Sequence, residues 1–234
     1  IIEVPFAKLL PNKILDKYLL EPMRYACEGT RLATEYALEN GVMVMNMGGG
    51  YHHAFPEHGE GFCIYADAAV AIADARNKGY LDENDKVIMI DLDAHRGNGF
   101  NSIAANDDAI EVFDIFNFQV YPGMPGENVD NPFVLPLKRQ TGDEVYLQVL
   151  MDELPKFTDS VTQPKLVFYN AGTDILAGDR LGDLDVSYQG VIERDRLVID
   201  MLKGIDVPSV IMTSGGYTKE SYKLVANQAA MVIK

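Results

Sequence analysis

Cysteine is scarce. Cys27 and Cys63 are the only two in 234 residues, too few for a disulfide framework, and they suit a reducing, cytoplasmic compartment. No apolar run approaches the ~20 residues that a membrane helix needs. Glu3, Lys8, Lys13, Asp16 and Lys17 interrupt the first twenty residues, which therefore do not read as a signal peptide. Repeats, low-complexity tracts and linkers are absent. Basic residues are outnumbered, 20 Lys+Arg against 35 Asp+Glu, for a formal charge of −15 and a pI near 4.6. Such a field repels phosphate backbones, so neither nucleic acid nor a membrane is an expected partner, whereas a cationic substrate fits.

What remains is an ordinary globular balance, 47% hydrophobic and 24% charged. It suits one α/β domain with a sizeable core, spanning residues 1–234. The chain opens with Ile1 rather than Met, which places the expected native start upstream. Helical spacing predicts helices over Pro22 to Asn40, Tyr65 to Lys78, Asp143 to Phe157 and Ser187 to Leu202, with another after Gly216. Apolar runs predict strands over Val42 to Met47, Lys86 to Asp93, Ala109 to Phe116, Leu166 to Tyr169 and Val210 to Thr213. Near-continuous apolar strands separated by helices indicate a mainly parallel sheet covered on both faces, a three-layer sandwich. Gln119 to Thr141, with four prolines, reads as a long loop.

In such sheets ligands bind beyond the carboxyl ends of the strands, and polar or glycine-rich clusters sit at those ends here. They are Gly48-Gly49-Gly50-Tyr51-His52-His53, Asp91 to Gly99, Gly172-Thr173-Asp174 and Ser214-Gly215-Gly216-Tyr217. Alternation along a strand lets Asp91, Asp93 and His95 point one way. An isolated D-x-D-x-H is more often a solvated turn, but Asp174, from another strand end, offers a third ligand. Three protein ligands with an open position describe a catalytic zinc site. Three of the four histidines fall in these clusters, and only His58 lies outside. Imidazoles beside a metal-bound water are apt acids and bases near neutral pH. Tyr217 is either a packing residue or a donor to a developing oxyanion. Phe62 and Tyr121 are either loop packing or the walls of an apolar channel.

The set GGGYHH, GEGFC, DLDAHRGNG, YNAGTDILAGDRLG and TSGGY resembles the zinc-dependent histone deacetylases, and most nearly the class IV and bacterial members. The resemblance implies an arginase/deacetylase fold and hydrolysis of an N-acyl lysine-type amide, on an acyl-lysine protein or a small acylated amine. It implies zinc on Asp93, His95 and Asp174, with Fe²⁺ an alternative. His52 and His53 would be the general base and acid, backed by Asp91 and Asn98, and Tyr217 would polarise the carbonyl. Phe62 and Tyr121 would flank the acyl tunnel near Gly61, Leu181 and Gly215. A structural potassium ion would draw on Asp91, Asp93, His95 and Asp114. Asn98 stands where class I members carry aspartate, and the family's domain normally has an extra N-terminal strand and helices ahead of the elements seen here, which places Ile1 inside that domain. The alternatives are an acetylpolyamine amidohydrolase, an acetoin-utilisation-type deacetylase, or an inactive acyl-lysine binding module. A two-manganese ureohydrolase fits poorly, because Gly97 and Leu176 replace the carboxylates that a second metal needs.

Overall fold

The computed structural model describes residues 11–124 and 131–233. Its strands are β1 (Met43–Asn46), β2 (Val87–Asp91), β3 (Ile110–Asn117), β4 (Val134–Leu137), β5 (Leu166–Asn170) and β6 (Ser209–Met212). They form one six-stranded sheet in the order β1-β6-β5-β2-β3-β4. Every pairing is parallel, so the sheet is wholly parallel among the described residues.

Alternation along these strands builds the layers. Ile88, Ile90, Phe113, Ile115, Val167, Tyr169 and Ile211 face one side. There they pack under α5 (Asp143–Ser160), α6 (Tyr188–Ile205) and α7 (Ser221–Ile233). Val87, Met89, Val112, Leu166, Phe168, Val210 and Met212 face the other. That side is covered by α2 (Glu21–Asn40), α3 (Asp67–Asn77) and α4 (Asn98–Ala104). Each fully buried aliphatic side chain contributes about 1.5–3 kcal/mol of transfer free energy, which is why both faces of the strands read as apolar.

Local chemistry sets the helix ends. Gly41 closes α2 in the left-handed region at φ 65°, where a residue without Cβ is unstrained. Ser187 caps α6, its Oγ accepting from the Gly190 amide at 3.0 Å. No described helix is long and apolar enough to cross a membrane.

Three parts depart from the sequence expectation. A short α1 (Asn12–Leu15) and a π-helical segment (Asp16–Leu20) lead into α2; residues 1–10, which hold Ile1, Glu3 and Lys8, lie outside the described residues. The expected loop Gln119 to Thr141 contains β4, an edge strand that tolerates Pro136, while residues 125–130 lie outside the described residues. Strand β2 stops at Asp91 rather than Asp93, and α4 follows from Asn98.

Candidate active site

The parallel register lines up the strand ends. Asp91 of β2 sits beside Asp114 of β3 and Asn170 of β5, and Met212 of β6 lies between Asn170 and Asn46 of β1. Polar side chains at four of these five positions, all but Met212, thus close the apolar sheet at one rim, and the four clusters leave from it.

Asp93 and His95 lie past the end of β2, so strand alternation does not orient them. Side-chain-to-backbone turns do. The Asp93 amide donates to Asp91 Oδ1 at 3.2 Å, and the His95 amide donates to Asp93 Oδ1 at 2.9 Å. Asp91 therefore turns to His52, while Asp93 and His95 turn to Asp174. His95 Nδ1 lies 3.0 Å from Asp93 Oδ1 and 2.9 Å from Asp174 Oδ2. Its Nε2 donates to the Leu181 carbonyl at 3.1 Å, which leaves the Nδ1 lone pair for a ligand. One ligand atom from each of Asp93, His95 and Asp174 lies within 4.8 Å of the others, and all three residues are buried.

The electrostatics of this donor set call for positive charge. Burial beside Asp93 pushes Asp174 up to about 7. Burial would likewise raise Asp93, but the His52 and His95 charges hold it well below the usual carboxylate range. Burial opposes charge on His95, yet the Asp174 and Asp93 carboxylates raise it to about 11. A divalent cation satisfies all three groups at once. The glycines beside them are required by space: a Cβ at Gly215 would stand 2.5 Å from Asp174 Oδ2 and 2.6 Å from Asp93 Oδ2.

The two histidines have opposite surroundings. His52 Nδ1 donates to Asp91 Oδ2 at 2.7 Å, and Asn170 Nδ2 donates to the other oxygen of that carboxylate at 2.9 Å. Burial disfavours charge on His52, but Asp91 and Asp93 outweigh it and raise the ring to about 9. His53 Nδ1 instead meets the neutral Asn98 Oδ1 at 2.6 Å. Burial and the His52 charge lower it to about 2. The rings lie 4.0 Å apart. The α4 helix holds the pair from below, its Phe100 amide donating to the His52 carbonyl at 2.9 Å.

A cavity of about 160 Å³ opens onto this centre, and His52, His53, Gly61, Phe62, Gly215 and Tyr217 are among its lining residues. Gly61 and Phe62 both have positive φ, 47° and 63°, in a tight turn closed by the Cys63 amide donating to the Glu60 carbonyl at 2.7 Å. That turn holds the Phe62 ring at the rim. Tyr217 is anchored through its backbone, its amide donating to Asp179 Oδ2 at 2.8 Å. The Tyr121 and His53 rings meet edge to face, their centroids 4.9 Å apart, and Leu181 contributes its carbonyl to His95. Asp114 lies deeper. Its Oδ2 accepts from the Gly97 amide and Asn101 Nδ2, while Oδ1 is buried with no partner. Burial and the Asp91 charge raise Asp114 well above the usual range.

Several supporting residues were not foreseen. Asp67, at the start of α3, takes the Gly50 and Tyr51 amides at 2.9 and 2.8 Å and so fixes the histidine loop. An Asp at a helix start was the available signal. Arg194 is wholly buried behind the loops that carry Asp93 and Asp174 and donates to the carbonyls of Leu92 and Gly172. Its signal was a charged pair, Arg194-Asp195, on the apolar stripe of α6 with Val191, Val198 and Ile199. Glu60, which binds Asn98 and Tyr121, lies in the GEGFC motif, but nothing in that motif pointed to those partners.

Comparison with known proteins gives a consistent picture. Residues 8–233 match the histone deacetylase domain family. The chain is 38% identical over 228 residues to "Histone deacetylase 2" of Arabidopsis thaliana, covering 97% of this chain and 57% of that protein. Among solved structures it is similar to the HDA15 HD domain, with TM-score 0.70 and 25% identity over 90% of this chain and 62% of that one. An acetylpolyamine aminohydrolase from Burkholderia pseudomallei, TM-score 0.69 at 20% identity over 87% of this chain and 59% of that one, shares the fold. The chain spans about three-fifths of the length of these relatives.

Proposed function

The chain belongs to the histone deacetylase family, and on that premise we propose that it is a metal-dependent hydrolase. It would remove an acetyl or longer acyl group from the side-chain amine of lysine or from a lysine-like amine such as an acylated polyamine. Residues 1–234 act as one catalytic domain in this reading. The observation that carries it is the pair of histidines with opposite partners, set beside three buried ligand atoms within 4.8 Å of one another.

Asp93, His95 and Asp174 would hold the ion, and a two-carboxylate, one-imidazole set suits Zn²⁺, with Fe²⁺ the alternative. When bound, such an ion polarises the acyl carbonyl and acidifies a water. His53, kept neutral by burial and by a neutral partner, takes the water's proton at Nε2. His52, its charge supported by Asp91, stays protonated and favours negative charge developing nearby. As the C–N bond breaks, the proton held on His53 passes to the nitrogen, so that the amine leaves neutral. The Tyr217 hydroxyl donates to the carbonyl oxygen as charge grows on it. Phe62 and Tyr121 flank the acyl chain, and Leu181 borders the rim beside His95. A second cation, K⁺, would lie beneath, where Asp91 and Asp114 stand side by side and Asp114 Oδ1 lacks a partner. His95 turns its imidazole to the upper site, so its share in the lower one would be through its backbone.

The test is turnover by the zinc-loaded chain of a panel of acetyl-lysine peptides, longer acyl-lysines and acetylpolyamines. Hydrolysis of at least one class, abolished in a metal-stripped sample and restored by zinc, is the expected result. A chain that binds acyl-lysine but hydrolyses none of the panel at full zinc occupancy would instead be a binding module.

A further inference from the structure

Glu60 begins the tight turn that carries Phe62, and its carboxylate gathers three side chains. Oε2 accepts from Tyr121 Oη at 2.7 Å and from Asn98 Nδ2 at 3.1 Å. Oε1 lies 3.0 Å from His58 Nε2. The bond from Tyr121, aided by those from His58 and Asn98, holds the Glu60 carboxyl below its usual range. An ionised carboxylate only accepts hydrogen bonds.

That restriction propagates. An asparagine amide has a donating end and an accepting end. Glu60 claims the NH₂ of Asn98, so the amide oxygen must face His53, where Nδ1 lies 2.6 Å away. An amide oxygen cannot donate, so Nδ1 carries the hydrogen and the neutral ring keeps its lone pair on Nε2. Asn98 and His53 alone would be equally satisfied with the amide reversed, its NH₂ donating to an Nδ1 lone pair. The hydrogen would then sit on Nε2, and the ring could not take a proton there.

We propose that Glu60 is a positioning residue that fixes the amide of Asn98, and through it the tautomer of His53, while tethering the Tyr121 ring against the same imidazole. This rests on the reading of His53 as the base. The role is geometric, because the Glu60 side chain is 38% exposed and its charge is screened by solvent. Both donors from the catalytic wall converge on one oxygen, so a neutral side chain presenting an oxygen at that place suffices.

Glu60→Gln keeps such an acceptor and removes the charge; Glu60→Ala removes both. With zinc bound, ¹⁵N NMR of histidine-labelled chain should show His53 as the Nδ1–H tautomer in the parent and in Glu60→Gln. Glu60→Ala should gain the Nε2–H form. Its kcat for an acyl-lysine reporter should fall by about 10- to 100-fold, the usual cost of losing a group that orients a site ligand or base, with KM changed far less. Glu60→Gln should stay within about threefold of the parent, and Glu60→Ala should add less than about twofold in an Asn98→Ala background, where the relay is already cut. An unchanged tautomer in Glu60→Ala, or a Gln variant as impaired as the Ala variant, would overturn the proposal. The NMR readout does not need turnover, so an inactive parent would defeat the reading of the site without deciding the role of Glu60.

Discussion

Replacing Arg194 by methionine should cost more stability than any single change at the exposed rim. The guanidinium is 0% exposed. It pairs with Asp195 at 2.7 Å and donates to the carbonyls of Leu92 at 3.0 Å and Gly172 at 2.6 Å. Methionine keeps much of the volume but strands the Asp195 carboxylate with, among the described residues, only the Tyr169 hydroxyl, 2.6 Å away, and leaves strand-end carbonyls short of a donor. Breaking one side of a buried ion pair costs about 3–5 kcal/mol, a large share of the roughly 5–15 kcal/mol that holds a typical domain folded. At about 2–4 °C per kcal/mol for a chain of this size, Tm should fall by roughly 6–20 °C. Urea denaturation should show the midpoint moving with an unchanged slope. Because Leu92 lies between Asp91 and Asp93, and Gly172 shortly precedes Asp174, zinc affinity measured against a competing chelator should drop by about 10- to 100-fold. The double variant Arg194→Met, Asp195→Leu should recover part of the stability, since it leaves no unpaired charge. A single variant losing less than about 1 kcal/mol, or a double variant no better than the single, would refute the reasoning.

Asp174→Ala should lose both bound metal and turnover; elemental analysis of the parent finding two tightly bound transition-metal ions per chain would contradict the one-metal reading. Tyr217→Phe should keep the metal and the fold but lose about 10²–10³ in turnover, the usual cost of one oxyanion donor, with kcat suffering more than KM. A Phe variant as fast as the parent would reduce Tyr217 to packing. Asn98→Asp places a carboxylate beside His53, whose pKa burial and the His52 charge otherwise lower to about 2. The ring's pKa should rise, so the neutral base is lost at higher pH on acidification. The acid limb of the kcat/KM profile should therefore move to higher pH, and a limb that does not move at full metal occupancy would count against His53 as the base.

Much of the frame was legible because burial is written into local pattern. The strands that carry the site are buried on both faces, so Val87 to Ile90 and Leu166 to Tyr169 stand out as apolar runs. The clusters that follow them stand out by contrast. Less legible was anything decided by contacts across the sequence. The paired use of Asp93 and His95 looked like strand alternation, but turns built on the carboxylates of Asp91 and Asp93 produce it. The β4 strand hid behind Pro136 because an edge position excuses the missing amide. Glu60 reaches Asn98 across 38 positions and Tyr121 across 61, and no periodicity reports such a bond. Arg194 was disguised because an arginine in a helix is ordinarily a solvated one.

The order of strands also sets an order of events during synthesis. Of the described strands β1 is made first and β6 last, yet among the described residues β6 is the sheet partner of β1 and slots between β1 and β5. At roughly 5–20 residues per second, the nascent β1 waits on the order of 10–30 s for its neighbour, and the edge of β5 stays open for the final part of that time. Until β6 arrives, the histidine loop is held to the Asp91 to Asn98 segment only by its own hydrogen bonds, such as His52 to Asp91 and the Phe100 amide to the His52 carbonyl, and Tyr217 has not been translated. A chain that ends before β6 therefore displays an unpaired parallel edge at β5, the kind of surface that invites aggregation and that chaperones shield. A ribosome-stalled series that ends before Ser209 should bind a holdase, and release should coincide with the emergence of β6 from the exit tunnel.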